Sequence, residues 1–157
     1  MKNRSSGHDG IQPRFWERKA LTALSAAEWE SLCDGCGRCC LHKLEDIETG
    51  AYYYTNVACR LLDAHSCRCR SYTERKRLVP DCLELSQQDT EQYRWLPVSC
   101  AYRRLHEGKP LAWWHPPVSG DPETVHKAGI SVRGRTVDEL CIQPDQLEEH
   151  IVFWIEF

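Results

Sequence analysis

After Pro13, apolar residues recur at helical spacing (Phe15, Trp16, Ala20, Ala23), predicting a helix over 15–24. Ser25-Ala26-Ala27-Glu28 has the form of a capping box, so a second helix is expected over 26–32, with Trp29 and Leu32 on its buried side. Residues 41–45 and 52–55 read as two strands joined across Glu48-Thr49-Gly50. In the Tyr52-Tyr53-Tyr54 run, alternation puts Tyr52 and Tyr54 on one face. Pro97 and Gly108 bracket a helix over 98–107, and the prolines make 113–117 a rigid, non-helical stretch. A short helix follows over 121–126, then a strand over 131–137 around Gly134. A last helix is expected from 145 to the end, introduced by Pro144. Residues 1–12 are polar and glycine-bearing and read as a disordered tail. The expectation is one α+β domain over 13–157, α-rich, with a minor β-hairpin and many loops.

Composition makes that domain an unusual one. Leu, Ile, Val and Phe make up about a fifth of the 157 residues, the level at which ordinary cores fail. A net charge of −3 is too small to explain this by self-repulsion, and ten cysteines offer another way to hold a fold. No apolar run is long enough to span a membrane, and the mild acidity argues against binding nucleic acid through bulk charge. The first ten residues contain no export-type apolar core, so the expected location is cytoplasmic. In a reducing cytoplasm cysteines bind metal more often than they pair, and a disulfide scaffold is the weaker reading.

Eight of the ten cysteines lie between residues 33 and 82. Cys33-Asp34-Gly35-Cys36-Gly37-Arg38-Cys39-Cys40 spaces its sulfurs so that they can face one centre, and its glycines let the backbone wrap around that centre. With a remote cysteine, such a run fits a zinc thiolate site or an iron–sulfur site equally well. Cys59, Cys67, Cys69 and Cys82 form a second group, and Arg60, Arg68, Arg70 and Arg75 stand close to them in the chain. Cations there offset the negative charge of a metal–thiolate centre; a solvated basic turn is the plainer alternative. Cys141 belongs to no metal-like spacing and reads as a buried structural thiol. His42 and His65 are possible additional ligands, whereas His115, flanked by Trp114 and Pro116, reads as a hydrogen-bonded structural residue.

At these residues the sequence resembles the bacterial CxxCxxCC family of zinc- or iron-chelating (YkgJ-type) proteins, and within it the YcgN-like branch. The shared pattern is Cys33-x2-Cys36-Gly37-x-Cys39-Cys40, Cys59-x2-Leu62, Cys69-x2-Tyr72-x2-Arg75 and Cys82. Trp95-Leu96-Pro97-x2-Cys100-Ala101-Tyr102-Arg103, His115-Pro116 and Ile130-Ser131-Val132-Arg133 are similar to the branch signature. Where the broader family has an Arg-Pro pair, Arg75 is followed here by Lys76, with Pro80 later.

The resemblance implies a metal-binding, Cys-rich protein of unknown biological role, with zinc or iron, as an ion or an iron–sulfur cluster, for cofactor. Its implied ligand pool is Cys33, Cys36, Cys39, Cys40, Cys59, Cys69 and Cys82, with Cys67 and Cys100 as further candidates. Seven thiols exceed the four of one tetrahedral zinc, so some lie outside the coordination or the site is multinuclear. Flagellin lysine methylases carry a similar module, so an iron–sulfur redox or methyl-transfer-related enzyme is the alternative. No catalytic motif supports it: Gly35-Cys36-Gly37 is the one G-x-G, and neither G-x-S-x-G nor H-E-x-x-H occurs. The expected partner is a metal ion; no membrane is implied, and a protein partner is not identified.

Overall fold

The computed structural model describes residues 11–157, so the expected tail lies outside the described residues except for Ile11 and Gln12, which carry no regular structure. In chain order the regular elements are α1 (Ala26–Ser31), β1 (Leu41–Glu45), β2 (Tyr52–Ala58), α2 (Arg75–Leu78), α3 (Ala101–His106), α4 (Pro116–Ser119), α5 (Thr124–Lys127) and β3 (Val137–Asp138). Single 3₁₀ turns join many of them. The architecture is a small α+β fold with a three-stranded sheet in the order β1-β2-β3.

The expected helix over 15–24 is replaced by two 3₁₀ turns, Phe15–Glu17 and Leu21–Ala23, separated by the extended Ala20. The reason lies in the core. Phe15 and Leu24 are both buried in one cluster with Trp29, Leu32, Tyr93, Leu96 and Tyr102. On a continuous helix, at about 100° per residue, these two side chains would point to opposite faces. The capping box forms as expected: Ser25 Oγ accepts from Glu28 N–H at 3.1 Å, and Glu28 Oε1 accepts from Ser25 N–H at 3.0 Å.

The hairpin is antiparallel, with Leu41 opposite Ala58 and Glu45 opposite Tyr52, and an irregularity between Leu41 and Lys43. Its second strand runs three residues beyond the expected end. Asp46 Oδ1 accepts from the N–H groups of Glu48 and Thr49 and so closes the turn. Tyr54 is buried, stacks on Phe157 at 4.5 Å between ring centroids and donates to Trp95 O at 2.9 Å.

Three later expectations are corrected. Strand structure at 131–137 is confined to Val137–Asp138, which pairs parallel to Val57 and Ala58, because Ser131 and Val132 are drawn instead to Val125 O and Cys36 O. The stretch 113–117 is not wholly non-helical, since prolines at the first turn of α4 suit a helix start. The last helix is a 3₁₀ stretch, Pro144–His150, and the chain then turns extended. Ile151 bridges Thr55 and Val152 N–H donates to Tyr54 O at 2.9 Å, which brings Ile155 into a core cluster with Leu41, Tyr54 and Val132. The helices near 98–107 and 121–126 are present but shorter, as α3 and α5.

Candidate metal centre

The cysteine run is laid out by the three core clusters. Leu32, just before it, is buried in the first cluster, Cys36 in a third with Trp114 and Val125, and Leu41, just after it, in the second. The chain must therefore turn sharply between three fixed points, and it does so at two glycines in the left-handed region, Gly35 (φ 72°) and Gly37 (φ 75°). Gly37 has no room for a methyl group, and one on Gly35 would displace the Arg68 side chain. A Cβ on Gly35 would stand 2.8 Å from the Arg68 guanidinium, and one on Gly37 would stand 2.9 Å from Val132 Cγ2.

The second cysteine group is brought alongside by the hairpin. Cys59 follows β2 and donates its N–H to Cys40 O at 2.9 Å, directly before β1. Leu62 then bridges Cys69, which turns the chain back toward Cys59. Cys67 occupies the tight 63–68 loop with φ 59° and is buried. Where the Arg-Pro pair of the broader family is missing, Lys76 Nζ donates to Pro80 O and Cys82 O at 2.8 and 2.9 Å and fixes the approach to Cys82.

One cavity of about 210 Å³ is lined by Cys33, Cys36, Cys39, Cys40, Cys67, Cys69 and Cys100. The structure thus gathers five of the seven expected ligands, with both further candidates. Cys59 and Cys82 lie outside the lining, yet their charges act on Cys40. All ten cysteines are free thiols, and among the described residues no three His, Cys, Asp or Glu side chains converge at coordination distance as they stand. Cys141, expected to be a buried structural thiol, is instead exposed and apart from the cavity, because it ends the surface 3₁₀ turn Glu139–Cys141, none of whose side chains is buried.

Burial pushes the Cys36 and Cys100 thiols well up, and Cys33 up to about 12, with the Asp34 carboxylate adding to each. Burial also raises Cys59, Cys67 and Cys82. Cys39 is the exception: a hydrogen bond with Cys40, assisted by Lys43, lowers it to about 7, while Cys40 is driven up by the same bond. Arg68 beside Cys33, Arg60 beside Cys59 and Arg75 beside Cys82 each favour the thiolate. Soft sulfur donors around a cavity, with cations spaced around them, are a donor set suited to zinc or iron.

Among the described residues no histidine lines the cavity. His42 Nε2 meets Glu139 Oε2 at 2.6 Å, and His65 lies outside the cavity lining. His115 is fully buried, accepts at Nδ1 from Ala112 N–H at 2.7 Å and donates from Nε2 to Ser99 O at 2.9 Å. Asp34 was not among the expected site residues, yet it lines the same cavity. Its place inside the first Cys-x2-Cys was the available signal.

Residues 32–101 match a family profile described as "Putative zinc- or iron-chelating domain", CxxCxxCC. A UPF0260 protein of Rhizobium etli is 56% identical over 140 residues, 89% of this chain and 89% of that protein. One of Granulibacter bethesdensis is 62% identical over 140 residues, 89% of this chain and 83% of that protein. The chain belongs to the UPF0260 family. A further UPF0260 protein, of Azotobacter vinelandii, is 55% identical over 143 residues, covering 91% of this chain and 95% of that protein. No solved structure matches. UPF0260 membership with a chelating-domain match supports metal binding and gives no support to the redox or methyl-transfer alternative. Among the described residues no helix is long and apolar enough to cross a membrane.

Proposed function

We propose that this chain is a metal-binding protein that holds zinc or iron through thiolates, acting in the reducing cytoplasm as one domain over 13–157. The ligands are drawn from Cys33, Cys36, Cys39, Cys40, Cys59, Cys69 and Cys82, with Cys67 and Cys100 as neighbours able to join them. The observation that carries this reading is the single cavity lined by seven cysteines, which sequence-remote segments converge to build. Buried free thiols used only for packing need no common cavity and no ring of arginines. Nine thiols exceed the demand of one tetrahedral ion, so some stand outside the coordination or the site is multinuclear.

The test is anaerobic purification followed by the visible spectrum and by counts of Zn, Fe and acid-labile sulfide per chain. A colourless protein with stoichiometric zinc marks a structural or metal-handling site. Brown colour with sulfide marks a cluster. A folded protein from metal-replete cells with only trace metal overturns the reading.

A further inference from the structure

Asp34 is 4% exposed, and its two oxygens have different fates. Oδ1 accepts from Cys36 N–H at 3.0 Å and closes the turn into the cysteine run. Oδ2 is buried with no hydrogen-bond donor among the described residues. The neighbours that might have served it are committed elsewhere. His115 Nε2 is 3.8 Å away, too far for a hydrogen bond, and gives its hydrogen to Ser99 O. Arg38 donates from Nε to Ile130 O and from Nη1 to Ser99 Oγ, although its charge is close enough to feel Asp34. A buried carboxylate oxygen without a partner is costly, so its retention calls for a partner the polypeptide does not supply.

The surroundings identify that partner. Asp34 lines the cysteine cavity together with Cys33, Cys36 and Cys100, and its Oδ1 is tied to the backbone of Cys36. Three sulfurs and one carboxylate oxygen make a four-donor set of the kind that holds zinc. We propose that Asp34 Oδ2 is an oxygen ligand of a divalent metal site whose other donors, the thiols of Cys33, Cys36 and Cys100 in the same cavity, draw in around the ion when it binds. This assignment rests on the thiolate reading above and adds a hard donor to it. It also gives Cys100, which stands far from the other cysteines in the chain, a place in the coordination.

The test is titration of the full chain, reduced and metal-free, with Co²⁺, read by the thiolate-to-cobalt charge-transfer band, the d–d bands and circular dichroism. Asp34→Asn keeps the acceptor for Cys36 N–H and removes the anionic oxygen. It is expected to weaken Co²⁺ binding at this site by about tenfold or more and to alter the d–d bands. Asp34→Cys replaces the oxygen by a fourth sulfur and is expected to raise the charge-transfer intensity above that of the unaltered chain. Cys141→Ser, remote from the cavity, is expected to titrate as the unaltered chain does. Unaltered affinity and d–d bands in Asp34→Asn, or a folded Asp34→Cys with no gain in charge transfer, overturn the assignment and leave the thiolate reading standing. Failure of the unaltered chain to take up Co²⁺ at all overturns both.

Discussion

Gly37 holds its conformation only because it lacks a methyl group. Its φ of 75° and the 2.9 Å to Val132 Cγ2 make Gly37→Ala strained twice over, by backbone and by contact. Denaturant unfolding is expected to show a loss of about 1–3 kcal/mol. Gly50, at φ 71° in the hairpin turn, has nothing within 4 Å of a built Cβ, so Gly50→Ala is expected to lose less. Equal losses would show that contact with Val132 contributes nothing. At this scale the sequence was informative about chemistry and less so about partners. The cysteines and glycines of the 33–40 run declare themselves by spacing, because coordination and tight turns fix residue type. Asp34 does not declare itself, since an Asp beside a glycine is ordinary turn chemistry until its second oxygen is seen to be buried.

Elements were legible where a local interaction decides them. Ser25 and Glu28 cap α1 reciprocally, and Ser25→Ala is expected to cost about 1 kcal/mol in the same unfolding measurement. The hairpin followed from alternation and a polar turn. The segment 15–24 and the C-terminal stretch were misread because long-range packing overrides helical spacing there. Phe15 and Leu24 must enter one cluster, and the 151–155 segment is drawn to β2. At the end of α3, Arg103 Nε and Lys109 Nζ both donate to Glu107, at 2.8 Å each, and hold its carboxyl down to about 2 from an ordinary 4.5. Because the folded value is the lower one, the contribution is complete above about 4.5 and is lost as pH falls toward 2. Glu107→Gln is therefore expected to lower stability at neutral pH, by less than about 1 kcal/mol for so exposed a pair, and to converge on the unaltered chain as pH falls below about 2. A constant difference across that range would rule out the ion pairs as its source.

At the scale of the molecule, three small clusters share what a larger protein would bury in one core, and the cysteine run touches all three. A metal gripping that run therefore ties the clusters to one another. Removing it with a strong chelator under reducing conditions is expected to lower the thermal midpoint by about 10 °C, the effect of a ligand held at a thousandfold above its dissociation constant. An unchanged midpoint after complete removal would leave the metal without a structural role. The thin aliphatic content pointed to such a prop. The division into three clusters was invisible beforehand, because it depends on contacts between residues as distant in sequence as Leu41 and Ile155.

The pairing of Ile151 with Thr55 and of Val152 with Tyr54 also sets a timetable for biosynthesis. On the ribosome, the strand that carries the chain into Cys59 is finished long before the segment that flanks it is translated. Val132, whose N–H anchors Cys36 O, likewise emerges well after the last cysteine of the 33–82 region. Until then those thiols wait on a nascent chain without their folded surroundings, open to oxidants and to whichever metal arrives first.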